Sequence, residues 1–126
     1  MKILDNLQYT ENHEWVLFQD NIAIVGITDY AQSELGDIVY VDIDAIGQAL
    51  NIDAVFGSVE AVKTVSDLFM PVAGKVIELN NQLETNPEFI NNDPYKEGWI
   101  VKIEMNTNAN NNHLLSSDQY KELIVK

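Results

Sequence analysis

Short apolar runs punctuated by polar turns dominate this chain, and some of them alternate with polar residues at the period of two of a strand that buries one face. Trp15-Val16-Leu17-Phe18 and Ile22 to Ile27 flank a polar Gln19-Asp20-Asn21, which predicts a hairpin. Ile38 to Ile43 predicts another strand, with Val39, Val41 and Ile43 on one face. Val55 to Val65 and Asp67 to Met70 are strand-like and run into a turn at Pro71-Val72-Ala73-Gly74, after which Lys75 to Leu79 returns to strand. From Trp99 to Met105 the alternation is clean: Trp99, Val101, Ile103 and Met105 share a face, while Lys102 and Glu104 point away.

Helical signals are fewer. Thr28 is placed to cap a short helix through Asp29, Ala31 and Leu35, which Gly36 ends. Asn80 to Pro94 is polar, holds Pro87 and Pro94, and reads as loop with one helical turn. Asn106 to Asn112 contains five asparagines in seven residues, a composition suited to a solvated linker. Beyond it, Ser116 with Gln119 three residues on makes a capping box for a C-terminal helix over 116–124, with Tyr120, Leu123 and Ile124 spaced to dock. Many short strands with little helix predict a mainly β chain, a small sandwich or barrel. Nothing in the middle reads as an interdomain linker, so residues 1–126 are expected to form one domain.

Charge sharpens this picture. Twenty acidic residues stand against seven lysines and no arginine, a formal net charge of −13. Such a surface repels phosphate backbones and anionic lipids, which disfavours nucleic-acid and membrane roles. Two uses of the acidity remain open, solubility and electrostatic steering toward basic partners. No stretch of about 18 apolar residues is present. The opening Met1-Lys2-Ile3-Leu4-Asp5 resembles neither a signal peptide nor a transit peptide, so the expected location is the cytoplasm, or the mitochondrial matrix if a transit peptide has been removed.

The absence of cysteine excludes disulfides and thiolate metal sites, and any thiol chemistry must come from an attached cofactor. His13 and His113 show no metal-ligand spacing, and no phosphate-binding loop, dinucleotide fingerprint or serine-nucleophile motif occurs. Neither a metal site nor a catalytic residue is expected. One lysine stands out. Lys63 is the one lysine between Lys2 and Lys75, in the run Val59-Glu60-Ala61-Val62-Lys63-Thr64-Val65. On an unbroken strand Val59, Ala61, Lys63 and Val65 share a face, and a core-facing ammonium without a partner costs several kcal/mol. Three resolutions are open: the face is solvated, Lys63 is paired with a residue such as Glu60, or the chain reverses near Val62-Lys63 and lifts the amine to a hairpin tip. No Asn-Gly or Asp-Gly marks such a hairpin.

Val59 to Leu68 closely resembles the lipoylation segment of glycine cleavage H-proteins, where the lysine follows a Glu-Ser/Ala-Val-like triplet. Tyr9-Thr10-Glu11-Asn12-His13-Glu14-Trp15-Val16 is similar to that family's opening motif, and Gly26 to Gln32 with Leu35 to Val41 to its second. Pro71 and Gly74 fit the turn after the lipoyl strand, and Asn91-Asn92-Asp93-Pro94-Tyr95 with Gly98-Trp99 fits the late motif. The matches run in order from Tyr9 to Ile103, and the closing helix also fits.

The resemblance implies a barrel-sandwich hybrid of the lipoyl/biotinyl kind, with Lys63 exposed on a hairpin and carrying lipoate through an amide. It implies a carrier and not an enzyme: a shuttle taking the aminomethyl group from the P-protein (a pyridoxal-phosphate glycine decarboxylase) to the T-protein (an aminomethyltransferase) and the reduced dithiol to the L-protein (a dihydrolipoyl dehydrogenase). Glu14, Leu35 and Asp67 match positions near a cleft that shelters the loaded arm, and Glu60 matches recognition context for the lipoylating enzyme. Tyr30 and Glu34 depart from the family, some of whose members carry histidine at or near those positions. Ala61 and Thr64 replace a commoner serine and alanine, and the stretch Asp42 to Gly47 lacks a frequent proline. The nearest rival is an H-like protein serving lipoate relay or another complex. A 2-oxo acid dehydrogenase domain and a biotin carrier lack support, since neither Asp-Lys-Ala nor Met-Lys-Met surrounds the lysine.

Overall fold

The computed structural model describes residues 2–105 and 111–125. Two antiparallel sheets form the body. The larger joins β1 (Gln8–Tyr9), β2 (Glu14–Gln19), β3 (Ile22–Ile27), β5 (Ala49–Leu50), β8 (Gly74–Leu79) and β9 (Val101–Met105) in the order β1-β2-β3-β9-β8-β5. The smaller joins β4 (Ile38–Ile43), β6 (Val55–Ala61) and β7 (Val65–Phe69) in the order β4-β6-β7. The sheets do not join into a closed barrel. Short helices α1 (Asp29–Leu35), α2 (Phe89–Asn92) and α3 (Ser117–Ile124) and a 3-10 turn at Asn81–Glu84 complete the described chain.

The expected hairpin forms with Glu14 opposite Ile27 and Gln19 opposite Ile22, and Asp20 takes the left-handed conformation that closes it. The two-residue strands β1 and β5 lack the length that alternation needs to be seen. The Asn80–Pro94 stretch holds two short helical pieces instead of one. Val39 does not share a face with Val41 and Ile43. A register shift between Ile38 and Tyr40 turns Val39 outward, 46% exposed, and buries Ile38 instead. Helix α3 begins where the capping box placed it, with both reciprocal hydrogen bonds of Ser116 and Gln119 present. Of the expected linker Asn106 to Asn112, residues 106–110 lie outside the described residues.

The inward faces of both sheets meet in one core that includes Val25, Ile103, Phe56, Val59 and Leu68. Each such side chain contributes about 1.5–3 kcal/mol by leaving water. A second, aromatic cluster of Tyr9, Trp15, Tyr95 and Tyr120 lies under the N-terminal segment and α3. There the Trp15 indole donates to the Pro94 carbonyl at 2.9 Å. Gly26, opposite Trp15 in the hairpin, lies so close beneath the ring that a Cβ would sit 2.6 Å from the indole nitrogen. Gly26→Ala is therefore expected to cost about 2 kcal/mol through overpacking, read as a lower urea midpoint at unchanged slope.

Candidate functional site

The run from Val55 to Val65 is two strands, not one. β6 ends at Ala61 and β7 begins at Val65, with Glu60 opposite Val65 and Ala61 N donating to Thr64 O at 2.8 Å. Neither Val62 nor Lys63 has positive φ, so this reversal needs no Asn-Gly. Val59 and Ala61 keep the core face, Val62 is 72% exposed, and Lys63 stands in solvent at the tip. Of the three resolutions open on sequence, the chain takes the reversal. Lys63 belongs to neither ion pair found among the described residues. Glu60 is exposed on β6, in a cross-strand row with Tyr40 and Val65.

The base of this hairpin is fixed by neighbours. Val62 N donates to Asp37 O at 3.1 Å. The Asn91 side chain clamps the same segment, donating to Gly36 O at 2.8 Å and accepting from Ile38 N at 2.9 Å. This gives the late motif a physical role. The Lys63 stem lies over Gly36, its Cε 3.4 Å from where a Cβ would stand. Gly36, at φ +83°, ends α1 immediately after Leu35.

Beside the hairpin lies a cleft of about 350 Å³. It brings together Glu14, Leu35 and Asp67, three residues expected near such a cleft, and Tyr30 and Glu34 border it as well. Glu60 does not line it. Ile27, Val59 and Leu68 supply apolar lining; Asn12, His13 and Ser66 add polar groups. Sequence reading singled out neither Asn12 nor Ser66, and found for His13 only that it has no metal-ligand spacing. The available signal was their adjacency to Glu14 and Asp67.

Glu14 is 1% exposed. Its carboxyl accepts from Phe69 N at 2.7 Å and from Thr10 Oγ1 at 3.4 Å. Burial outweighs those two bonds, and the Asp53 carboxylate adds repulsion, so its pKa is pushed up to about 8. The carboxyl is thus largely protonated near neutral pH and poised to ionise if a cation arrives. His13 holds a left-handed backbone at φ 66°, and its Nδ1 lies 2.9 Å from the Tyr120 hydroxyl. Burial lowers its pKa, opposed in part by Glu34, so the imidazole is neutral. The Glu34 carboxylate holds the Tyr30 phenol above its usual range. No cluster of metal-ligating side chains occurs among the described residues, and none of their helices is long and apolar enough to cross a membrane.

Residues 7–126 match the glycine cleavage H-protein family. The chain is 49% identical over 124 residues to a glycine cleavage system H protein of Staphylococcus epidermidis, covering 98% of each chain. It is 50% identical over the same length to that of Bacteroides fragilis, again covering 98% of each. The crystal structure of a glycine cleavage system H protein from Mycobacterium marinum superposes with a TM-score of 0.89 at 32% identity, covering 98% of this chain and all of that one.

Proposed function

Because the chain belongs to the glycine cleavage H-protein family, and so acts as a lipoyl carrier component of that system, we propose that Lys63 is the lipoate attachment point and that the adjoining cleft receives the loaded arm. One observation carries this: a solvent-exposed primary amine, free of ion pairs among the described residues, stands at a hairpin tip with its stem over Gly36, and the same hairpin borders a cleft with a buried carboxyl at its wall.

The residues fit such a group. Amide formation removes the Lys63 charge, so the arm becomes largely apolar and can lie against Leu35, Ile27 and Leu68. The attached group supplies thiol–disulfide exchange and carriage of a one-carbon unit, chemistry for which this cysteine-free chain has no side chain of its own. Glu14 and Asp67 offer counter-charge to an amine. A cation beside Glu14 draws its pKa back down, so the carboxyl ionises as the amine docks. Tyr30 and Glu34, in place of histidine, leave this rim acidic. Glu60, exposed three residues before Lys63, is accessible to the lipoylating enzyme.

The partners in this reading are the P-, T- and L-proteins. The chain turns over nothing alone; it presents one tethered group to successive sites at high effective concentration. Its charge of −13 steers it toward basic entrances. Residues 1–126 act as one carrier domain, with the Asn-rich residues 106–112 as the linker leading toward the C-terminal helix, and the chain works in the cytoplasm. The test is reconstitution. The lipoylated chain is expected to support glycine-dependent exchange of CO2 with P-protein, and the unmodified chain none. Full lipoylation without exchange would favour the lipoate-relay reading.

A further inference from the structure

Two of the walls of the cleft are the turn containing His13 and helix α1, which flank the β2–β3 hairpin, and one buried atom from α3 reaches the base of both. The Tyr120 hydroxyl lies 2.9 Å from His13 Nδ1 and 2.7 Å from Thr28 Oγ1. Thr28 is the N-cap of α1, and its Oγ1 accepts from Ala31 N at 3.1 Å. Thr28 N also donates to His13 O at 3.0 Å. Tyr120 itself is fully buried, its ring stacked on Tyr9 with centroids 4.6 Å apart and 7° between planes. Packing of α3 on β1 therefore sets where the hydroxyl stands, independently of the groups it bonds.

We propose that the Tyr120 hydroxyl is a positioning group of the arm's shelter, holding His13 and α1 at the spacing that the cleft requires. This rests on reading the cleft as the place where the loaded arm lies. The proton arrangement is satisfied at every link. Thr28 Oγ1, accepting from Ala31 N, keeps its own proton to donate to the Tyr120 oxygen, and Tyr120 donates to His13 Nδ1. A neutral His13 then carries its proton on Nε2. The left-handed backbone of His13 is a conformation that persists when its surroundings over-determine it. Here Tyr30 lies 4.9 Å from the imidazole centroid and Tyr120 meets it edge-on at 5.7 Å.

Tyr120→Phe keeps the ring stack and deletes the hydroxyl. Its control is Tyr9→Phe, which deletes a hydroxyl bonded to Leu4 in the same aromatic cluster and touches neither wall. In the unmodified chain, Tyr120→Phe is expected to shift the His13 ring nitrogen resonances and to speed hydrogen exchange of the Ala31 amide about fivefold, the worth of one hydrogen bond. Tyr9→Phe is expected to do neither. In the lipoylated and aminomethyl-loaded chain, water attacks the methylene carbon, the carbon–sulfur bond breaks with its electron pair passing to sulfur as thiol, and formaldehyde and ammonia leave. Formaldehyde release is expected to rise about fivefold in Tyr120→Phe and to keep the wild-type rate in Tyr9→Phe. Leu35→Lys, which obstructs the cleft, reports on the shelter itself. A wild-type release rate in that variant removes the shelter and this inference with it. If Leu35→Lys releases faster while Tyr120→Phe matches wild type, or if both Tyr→Phe variants accelerate alike, the positioning role is overturned and the shelter stands.

Discussion

Arginine in place of Lys63 is expected to abolish glycine-dependent CO2 exchange and to leave the fold intact. Both halves follow from the hairpin. Lys63 is exposed, belongs to neither ion pair among the described residues, and touches the body chiefly through its stem over Gly36. Arginine keeps the charge and the reach, so stability should change by less than about 0.5 kcal/mol, as for surface substitutions generally. A guanidinium stays protonated at any working pH and offers no free amine to form an amide. No side chain of the protein can supply the thiol chemistry in place of the attached group, because the chain has no cysteine. The loss is expected to be complete, read by CO2 exchange with P-protein beside a thermal unfolding curve. Exchange retained by a folded Lys63→Arg chain would move the attachment elsewhere.

The second large effect concerns Glu14 and pH. Folded, this carboxyl keeps its proton until about pH 8; unfolded, it releases it near its ordinary 4.5. Between those values the folded chain binds one more proton than the unfolded chain, so stability falls as pH rises. The contribution is fully present below about 4.5 and gone above about 8, and its span is on the order of 5 kcal/mol. Glu14→Gln replaces the protonated acid with a neutral isostere whose oxygen can still accept from Phe69 N. Urea unfolding from pH 5 to 9 should therefore show wild type losing stability relative to the variant, with the variant the more stable at the alkaline end. Taking the difference between the two cancels the other nineteen acidic residues. Parallel curves would mean that Glu14 is already ionised in the folded chain. In function the variant should lose, having no charge to offer a docking amine.

The strands were legible as apolar runs bounded by polar turn residues in β2 and β3, and as clean alternation in β9. Alternation fails where the backbone departs from a regular ladder without a sequence marker. Val39 looks like a core residue until the irregularity beside it turns it out. The reversal at Val62-Lys63 was left open because its residues keep negative φ and need no glycine. The lysine itself was conspicuous through its isolation among acidic and apolar residues. The cleft was legible only through resemblance. Its walls come from the turn before β2, from α1 and from β7, and no local pattern reports that these meet. That likeness brought Glu14, Leu35 and Asp67 together. Glu60 lies apart from them on the exposed face of β6 and does not line the cleft. Tyr120 read as a docking residue of a helix, and the partners of its hydroxyl, 107 and 92 residues away, are set by tertiary packing.

Peptide-resolved mass spectrometry of the chain after treatment with a lipoate ligase is the most direct check on the amine at the hairpin tip. One lipoyl group confined to the peptide bearing Lys63 is expected. An unmodified Lys63, or lipoate on Lys2, Lys75, Lys96, Lys102, Lys121 or Lys126, would contradict it.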